Sequence, residues 1–585
     1  MWPPLLRAAH ALRRIHRRRI EGRHARRLRD DYPRWVAAHD TPTDALRQAL
    51  LERQAAWPGL PEIAIVMPVE RESLPWALQT LAALRESWYP HWTLHVLADT
   101  GTVQRLAEMS AADTRIRSSR DPALSGETPA WCAWLRPGDV LAPHALQLLA
   151  EAAVRCDGVE VVYGDHDRLD ARGARCDPQF KSDWNPELLL SWPYIQPMAL
   201  VRTERWRAAW AEWAADLPTL EVPHRLALRV TRGLDARQVQ HIPHVLVHVR
   251  QPPQACPAAV QQHLQVLQIV AKVDADPLGG CRVSLAPPLP RPKVSVIVPT
   301  RDRLDLLRVC LDGVLSRTDY EPLELIVVDN GSVEAATIQY LRDLARDRRV
   351  RVLRDERPFN FSALNNAAAA VASGEYLLLL NNDTEVIAPC WLAEMVGAAS
   401  LPGIAAVGAR LWYGDGSLQH AGLIVGLHGI AGDAHSRLDA RAAGHQGRAH
   451  VLQGFSAVTA ACLLVRRSVY LELGGFDAER FAVAYNDVDF CLRLRAAGHR
   501  IAWTPRAELL HHESRSRGSD QVPERRERFA REVQAMHERW GALLQRDPAY
   551  NPNLSLEGGA FTLAWPPRVS LLSPWYDGQT ARQNT

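Results

Sequence analysis

Two nine-residue stretches, PEIAIVMPV at 61–69 and PKVSVIVPT at 292–300, share one pattern: a short, β-branched apolar run that stops at a proline. Unbroken apolar runs of this length predict strands buried on both faces, as in a parallel sheet, each followed by a loop. The correspondence continues without a gap at an offset of 231 residues, so that Tyr89 matches Tyr320 and the apolar run 94–97 matches 325–328. Each copy then reads strand, helix, strand, the signature of a doubly wound α/β unit. The period is far too long for a solenoid and implies domain duplication.

The boundaries that follow are a helical N-terminal segment at 1–57, a first α/β domain at 58–255 and a linker at 256–290 containing APPLPRP (286–292). A second α/β domain follows at 291–518, then a C-terminal helix and tail at 519–585. Within the second copy, FSALNNAAAAVASG predicts a helix from about Ser362, with Gly374 as its C-cap. Leu377 to Leu380 predict a buried strand ending at Asn381-Asn382-Asp383. Phe529, Val533, Met536, Trp540 and Leu544 recur at helical spacing and predict an amphipathic helix over 522–547, with the tail from 548 packing on the body.

Composition adds one asymmetry. The whole chain of 585 residues is close to neutral at +3, yet residues 1–29 hold ten Arg and one Glu. Leu5, Ala8, Leu12 and Ile15 fall at helical spacing among those arginines, which suits either a basic amphipathic helix on anionic phospholipid or a helix packed on the body. No aromatic-interleaved basic patch recurs, so nucleic acid is not an expected partner. Nine scattered cysteines without a CxxC pair suit a reducing cytoplasm. No 18-residue apolar run occurs, and the expectation is a cytoplasmic protein, soluble or peripheral at the inner face of the membrane.

Chemistry is expected at the carboxyl ends of the strands, where open α/β sheets place their ligands. Three polar clusters of the second copy fall there: Pro299-Thr300-Arg301, Asp329-Asn330-Gly331-Ser332 and Asn381-Asn382-Asp383. A strand-end carboxylate can accept hydrogen bonds from a base or ribose, or hold a hard divalent cation. No glycine-rich phosphate loop follows either first strand, which excludes a P-loop and argues against dinucleotide binding and against a sugar nucleotidyltransferase.

Four segments in this order, VSVIVPTRDR (294–303), LIVVDNGS (325–332), LLLLNNDTEV (377–386) and YNDVDFCLRLRAAGHR (485–500), resemble the inverting family-2 glycosyltransferases with the GT-A fold. SAVTAACLLVRRSVYLELGGFD (456–477) and ELLHHESRSRG (508–518) resemble the bacterial branch that builds O-antigen and other surface polysaccharides. The resemblance covers about 291–555 strongly and 31–255 more weakly. It implies two tandem GT-A domains, Rossmann-like, after the basic N-terminal segment. It further implies a nucleotide-diphosphate sugar donor, a glycan or lipid-linked glycan acceptor, and a divalent metal, Mn2+ or Mg2+.

By the same resemblance, Asp329 binds the base of the donor, with Pro299 and Thr300 lining that pocket and Asn365 and Asn382 near the nucleotide. Asp383 is the metal ligand of the DxD motif, although Asn381 stands where relatives carry an acidic residue. His511 assists metal or diphosphate, with His512 as second choice. Asp487 is the catalytic base, and Asn486 replaces the Glu of the usual ED pair, where it would cap the helix and orient Asp487. An inverting transfer needs one base for the attacking hydroxyl and one cation for the departing diphosphate. The acceptor is expected near Gln419-His420-Ala421-Gly422 and the segment from Gln453 to Thr459.

The first copy differs at the chemistry-bearing positions. Ala98 matches Asp329, with Asp99 next to it; Arg136-Pro137-Gly138 replace the metal motif, while Asp139 survives; Pro223 stands where the base should be. A degenerate domain that binds acceptor or the partner domain follows from this. A second active transferase using Asp99 and Asp139, and a non-catalytic glycan-binding protein, are the alternatives.

Overall fold

The structure, a computed structural model, describes residues 30–109, 113–212, 221–512 and 523–573. The arginine-rich stretch 1–29 lies outside the described residues. Helices at 30–39 and at Asp44–Gln54 follow it, the second capped by the Thr43 side chain.

The first sheet holds, in chain order, β1 (Ile63–Pro68), β2 (Trp92–Leu97), β3 (Ile116–Ser119), β4 (Trp131–Trp134), β5 (Val140–Leu141), β6 (Val161–Leu169), β7 (Arg175–Gln179), β8 (Leu200–Arg202) and β9 (Val239–Val249). A hairpin follows, β10 (Ala271–Ala275) and β11 (Cys281–Leu285). The second sheet begins with β12 (Val294–Thr300), β13 (Leu323–Asp329), β14 (Val350–Arg354), β15 (Tyr376–Leu380), β16 (Thr384–Val386), β17 (Ile404–Trp412) and β18 (Leu418–His420). A small separate hairpin, β19 (Leu423–Val425) and β20 (Ala431–Asp433), precedes its last members, β21 (Gln453–Gly454), β22 (Cys462–Arg466) and β23 (Arg500–His511).

In space the first sheet runs 3-2-1-4-8-6-9-5 with β7 beside β6, and the second runs 14-13-12-15-22-17-23-16 with β18 beside β17. These are one topology written twice. The apolar runs are fully buried, as their unbroken character requires, and pair in parallel at the same register: Ile63 opposite Trp92, Val294 opposite Leu323. Even a tertiary detail is repeated, since Tyr89 donates to Pro61 O and Tyr320 to Pro292 O, each at 2.7 Å.

The stretch 256–290, expected to be a linker, carries helix Pro257–Val266 and the β10–β11 hairpin. The reason lies in CRVSL, where alternate residues Cys281, Val283 and Leu285 are buried while Arg282 is exposed. One apolar core contains Val66 and Trp134 of the first sheet, Val283 and Leu285 of the hairpin, and Val296 and Leu378 of the second sheet. The hairpin is therefore a wedge between the domains rather than a tether.

Gly397, in helix Trp391–Ala399, lets the wedge seat. A Cβ there would stand 2.0 Å from Leu285 O. Gly397→Ala gains about 1 kcal/mol of helix propensity. Overpacking against fixed backbone costs about 1–3 kcal/mol or more and outweighs it. A lower midpoint in urea unfolding is the expected outcome, and an unchanged or raised midpoint would contradict this packing.

Three local expectations are corrected. Helix Phe361–Val371 is capped by Asn360 and ends before Gly374, which is not its C-cap. Gly374 is needed because a Cβ would meet Ser295 N at 2.6 Å. The C-terminal helix spans Pro523–Trp540 and stops short of 547, at Gly541. Asn486 does not cap helix Asn486–Ala496: Tyr485, at φ 59°, is the cap residue, and the Asn486 amide instead donates to Ser362 Oγ and Val483 O. The tail packs on the body through buried Tyr550, Leu554 and Phe561. No helix among the described residues is long and apolar enough to cross a membrane.

Candidate active site

The carboxyl ends of β12 and β15 and the N-terminus of helix Asn486–Ala496 surround a cavity of about 620 Å3. Pro299, Thr300, Asn381, Asn382, Asp383, Asp487 and His511 line it, so most of the sequence-expected residues converge. Asn382 Nδ2 donates to Thr300 Oγ1 at 2.9 Å and ties two strand ends together. A second pocket of about 200 Å3 lies against the first and shares Thr459, Asp487 and His511 with it.

Asp329 and Asn365 stand outside the cavity lining. The buried Asp329 carboxylate accepts from Ser332 N at 2.9 Å and from Arg354 Nη1 at 2.5 Å. Asn365 is fully buried and donates to Phe361 O at 2.8 Å, one helical turn back.

Asp383 follows the last residue of β15 by three positions. The antiparallel pairing of β16 with β23, Thr384 opposite His511, delivers the imidazole to it, with His511 Nε2 3.2 Å from Asp383 Oδ1. His511 Nδ1 is 2.8 Å from the acceptor Gln419 Oε1, so Nδ1 carries the proton, and Nε2 accepts from the Asn381 amide at 3.2 Å with its lone pair on the side of Asp383. This is the tautomer a metal-ligating histidine requires. His512 points elsewhere, to Glu385 at 3.3 Å. Among the described residues no group of three or more His, Cys, Asp or Glu could hold a metal. Asp383 and His511, a carboxylate and an imidazole side by side, are the residues that would hold a divalent cation here.

Asp487 Oδ2 accepts from Ala460 N at 3.0 Å and Oδ1 from Val488 N at 2.9 Å. Burial pushes the carboxyl above its ordinary value of 3.8, against the pull of those N–H groups and of Thr459. A base at this position would have to be ionised to work, and a raised group protonates earlier as pH falls. The acid limb of kcat/KM is therefore expected above the range of an ordinary aspartate, as a pH–rate profile would record. Its neighbour in the motif, Asp489, does something else: fully buried, it binds Arg493 Nε at 2.8 Å, Arg539 Nη1 at 2.7 Å and Trp540 Nε1 at 3.0 Å, and so anchors the C-terminal helix.

That helix brings Arg525 and Arg528 to the cavity, where Phe359, Phe361 and the 459–461 turn also line the wall. Sequence reasoning named Thr459 on the acceptor side but missed the two arginines, the two phenylalanines, Ala460 and Ala461. The i,i+3 spacing of the two arginines on a helix otherwise read for its apolar face was the available signal.

In the first copy, the equal registers put Gly138 at the position of Asp383 and Val249 at that of His511. Helix Val222–Val230 puts Pro223 at the position of Asp487. Arg136 Nε lies 3.4 Å from Asp139 Oδ2, and the cleft among Trp134, Arg136, Asp139, Pro197 and Pro223 has about 0 Å3 of room for water.

The fold and site define an α/β enzyme whose strand-end and helix-start carboxylates, Asp383 and Asp487, face one cavity. The description of glycosyl transferase family 2 matches residues 295–472. N-acetylglucosaminyl-diphospho-decaprenol L-rhamnosyltransferase of Mycobacterium tuberculosis is 30% identical over 35% of this chain and 72% of its own. The chain belongs to glycosyl transferase family 2, and its two sheets repeat one α/β topology. It is also similar to uncharacterized protein y4gI of Sinorhizobium fredii, 39% identical over 86% of this chain and 59% of that one. O-antigen biosynthesis protein RfbC of Myxococcus xanthus is 35% identical over 90% of this chain and 42% of its own. The chain thus spans about half the length of these two relatives.

Proposed function

We propose that this chain transfers a sugar, with inversion, from a nucleotide-diphosphate donor to a glycan or lipid-linked glycan acceptor in bacterial surface-polysaccharide synthesis. The observation that carries the reading is the position of Asp487, whose carboxylate borders both the large cavity and the smaller pocket. A donor in the first and an acceptor hydroxyl in the second would meet at this group. Asp487 takes the hydroxyl proton as the oxygen attacks the anomeric carbon. Asp383 and His511 hold the divalent cation, Mn2+ or Mg2+, which supplies counter-charge for the departing diphosphate. Arg301, Arg525 and Arg528 add positive charge to the same cavity. Asp329 and Asn365 act from behind the wall, by shaping the turn after β13 and the helix that carries Phe361.

The surface-polysaccharide setting draws on the printed name of the Myxococcus relative, and the lipid-linked acceptor on that of the mycobacterial one. The arginine-rich stretch 1–29 would meet the anionic inner face of the membrane, where such acceptors lie. The first domain, whose corresponding cleft has no room for water, serves as a non-catalytic partner. Thermal-shift screening of UDP-, GDP- and dTDP-sugars with Mn2+ tests the reading, because a ligand that binds only the native state raises the melting temperature. A donor that stabilises the chain and is turned over with inversion supports it. A donor hit whose product pattern changes in Asp139→Asn would instead assign activity to the first domain.

A further inference from the structure

The smaller pocket contains a pair that the proposed chemistry does not use. His420, buried at the end of β18, lies with Nδ1 2.7 Å from Oδ1 of Asp433, at the end of β20. The pair exists because the chain turns sharply between β18 and β19. Gly422 holds φ 92° there, and a Cβ on it would stand 2.3 Å from the Phe455 ring. On its other side His420 Nε2 faces Thr459 N at 3.4 Å, in the turn whose Ala460 N–H holds Asp487. Asp433, His420, Thr459 and Asp487 thus form one hydrogen-bonded frame. Asp433 is the half-exposed end of it, with its side chain 37% accessible.

Leu411, Leu423, Ala431 and Val488 form the apolar part of the lining, and Gln419, Tyr485 and His511 complete it. At about 200 Å3 the pocket has the scale of one monosaccharide ring. An apolar wall facing fixed polar groups, Asp433 among them, matches a sugar, which has a C–H face and hydroxyls at its rim. A fixed carboxylate accepts such hydroxyls strongly, and its histidine partner holds it in place.

We infer that this pocket seats the terminal hexose or deoxyhexose of the acceptor, and that Asp433, positioned by His420, selects it. The Asp433 oxygen not used by His420 accepts a hydroxyl other than the attacking one, and so sets which acceptor oxygen reaches Asp487. The inference rests on the reading of Asp487 as the base.

Its test needs no turnover. Saturation-transfer NMR on the full chain, with UDP and Mn2+ present, would use methyl glycosides of glucose, galactose, mannose, rhamnose and N-acetylglucosamine, with their monodeoxy analogues. At least one glycoside is expected to bind, and one deoxy analogue to bind about 10- to 100-fold more weakly, the worth of a charge-assisted hydrogen bond. Asp433→Asn should weaken the parent glycoside and erase the difference between parent and analogue, which a merely structural role would not do. His420→Gln should lower affinity in the same direction, and Ala431→Phe should block binding by filling the pocket, with circular dichroism confirming that each variant is folded. Failure of every glycoside to bind, or unchanged binding and discrimination in Asp433→Asn, would overturn the inference. Full turnover by Asp487→Asn would instead defeat the assignment of the base while leaving the glycoside result to stand.

Discussion

Asp487→Asn is expected to lower kcat by about 10²- to 10⁴-fold, the usual contribution of a positioned general base, while leaving donor affinity unchanged. The amide keeps the size of the side chain but has no pair to take a proton. The contrast with Asp489 makes this specific. Asp489→Asn removes a buried charge from Arg493 and Arg539, which leaves two guanidinium groups short of their partner. Breaking a buried pair in this way costs about 3–5 kcal/mol. The first variant should therefore be folded and inactive, the second destabilised. Single-turnover assays with calorimetric melting separate the two. Substantial turnover by Asp487→Asn, or equal melting of both variants, would reverse the roles given to the two acids.

The second large effect concerns the cation. Asp383→Ala is expected to reduce turnover by about 10²- to 10³-fold, the scale of losing one preorganised electrostatic contact to developing charge. It should also abolish the extra thermal stabilisation that Mn2+ confers in the presence of UDP. Gln419→Ala offers a finer test. Gln419 lines the smaller pocket and not the large cavity, and its loss frees His511 Nδ1 and so loosens the tautomer. The Mn2+ concentration for half-maximal activity should rise about 10- to 100-fold, as for other partners behind metal-bound histidines. Undiminished turnover of the wild-type chain in excess chelator would remove the metal role from Asp383 and His511 together.

The acid pair in YNDVDF shows why the site was only partly legible. Both aspartates fall in the first turn of one helix, two positions apart, and so face different sides of it. Nothing in the string says which side meets the cavity. Resemblance chose Asp487; the packing of the C-terminal helix against Asp489 supplies the physical reason. The two histidines at 511 and 512 pose the same problem in a strand. Alternation sends one inward and one outward, and the pairing of Thr384 with His511 decides which.

The sequence by itself determined the two α/β units, their equal starts and the strand ends that carry chemistry. Those features are local: short β-branched apolar runs ended by a proline read as buried strands. It also showed a proline, Pro223, at the first-copy position that corresponds to Asp487. Tertiary structure alone decided the rest. It made the stretch 256–290 a wedge in a shared core, because the alternating face of CRVSL finds partners on both domains. It left the first-copy cleft, where Arg136 pairs with Asp139, with no room for water. It set Asp487 between two pockets and joined Asp433 to His420 across a glycine turn. These contacts link residues that are far apart in the chain or fixed by close packing, and no local periodicity encodes such distances.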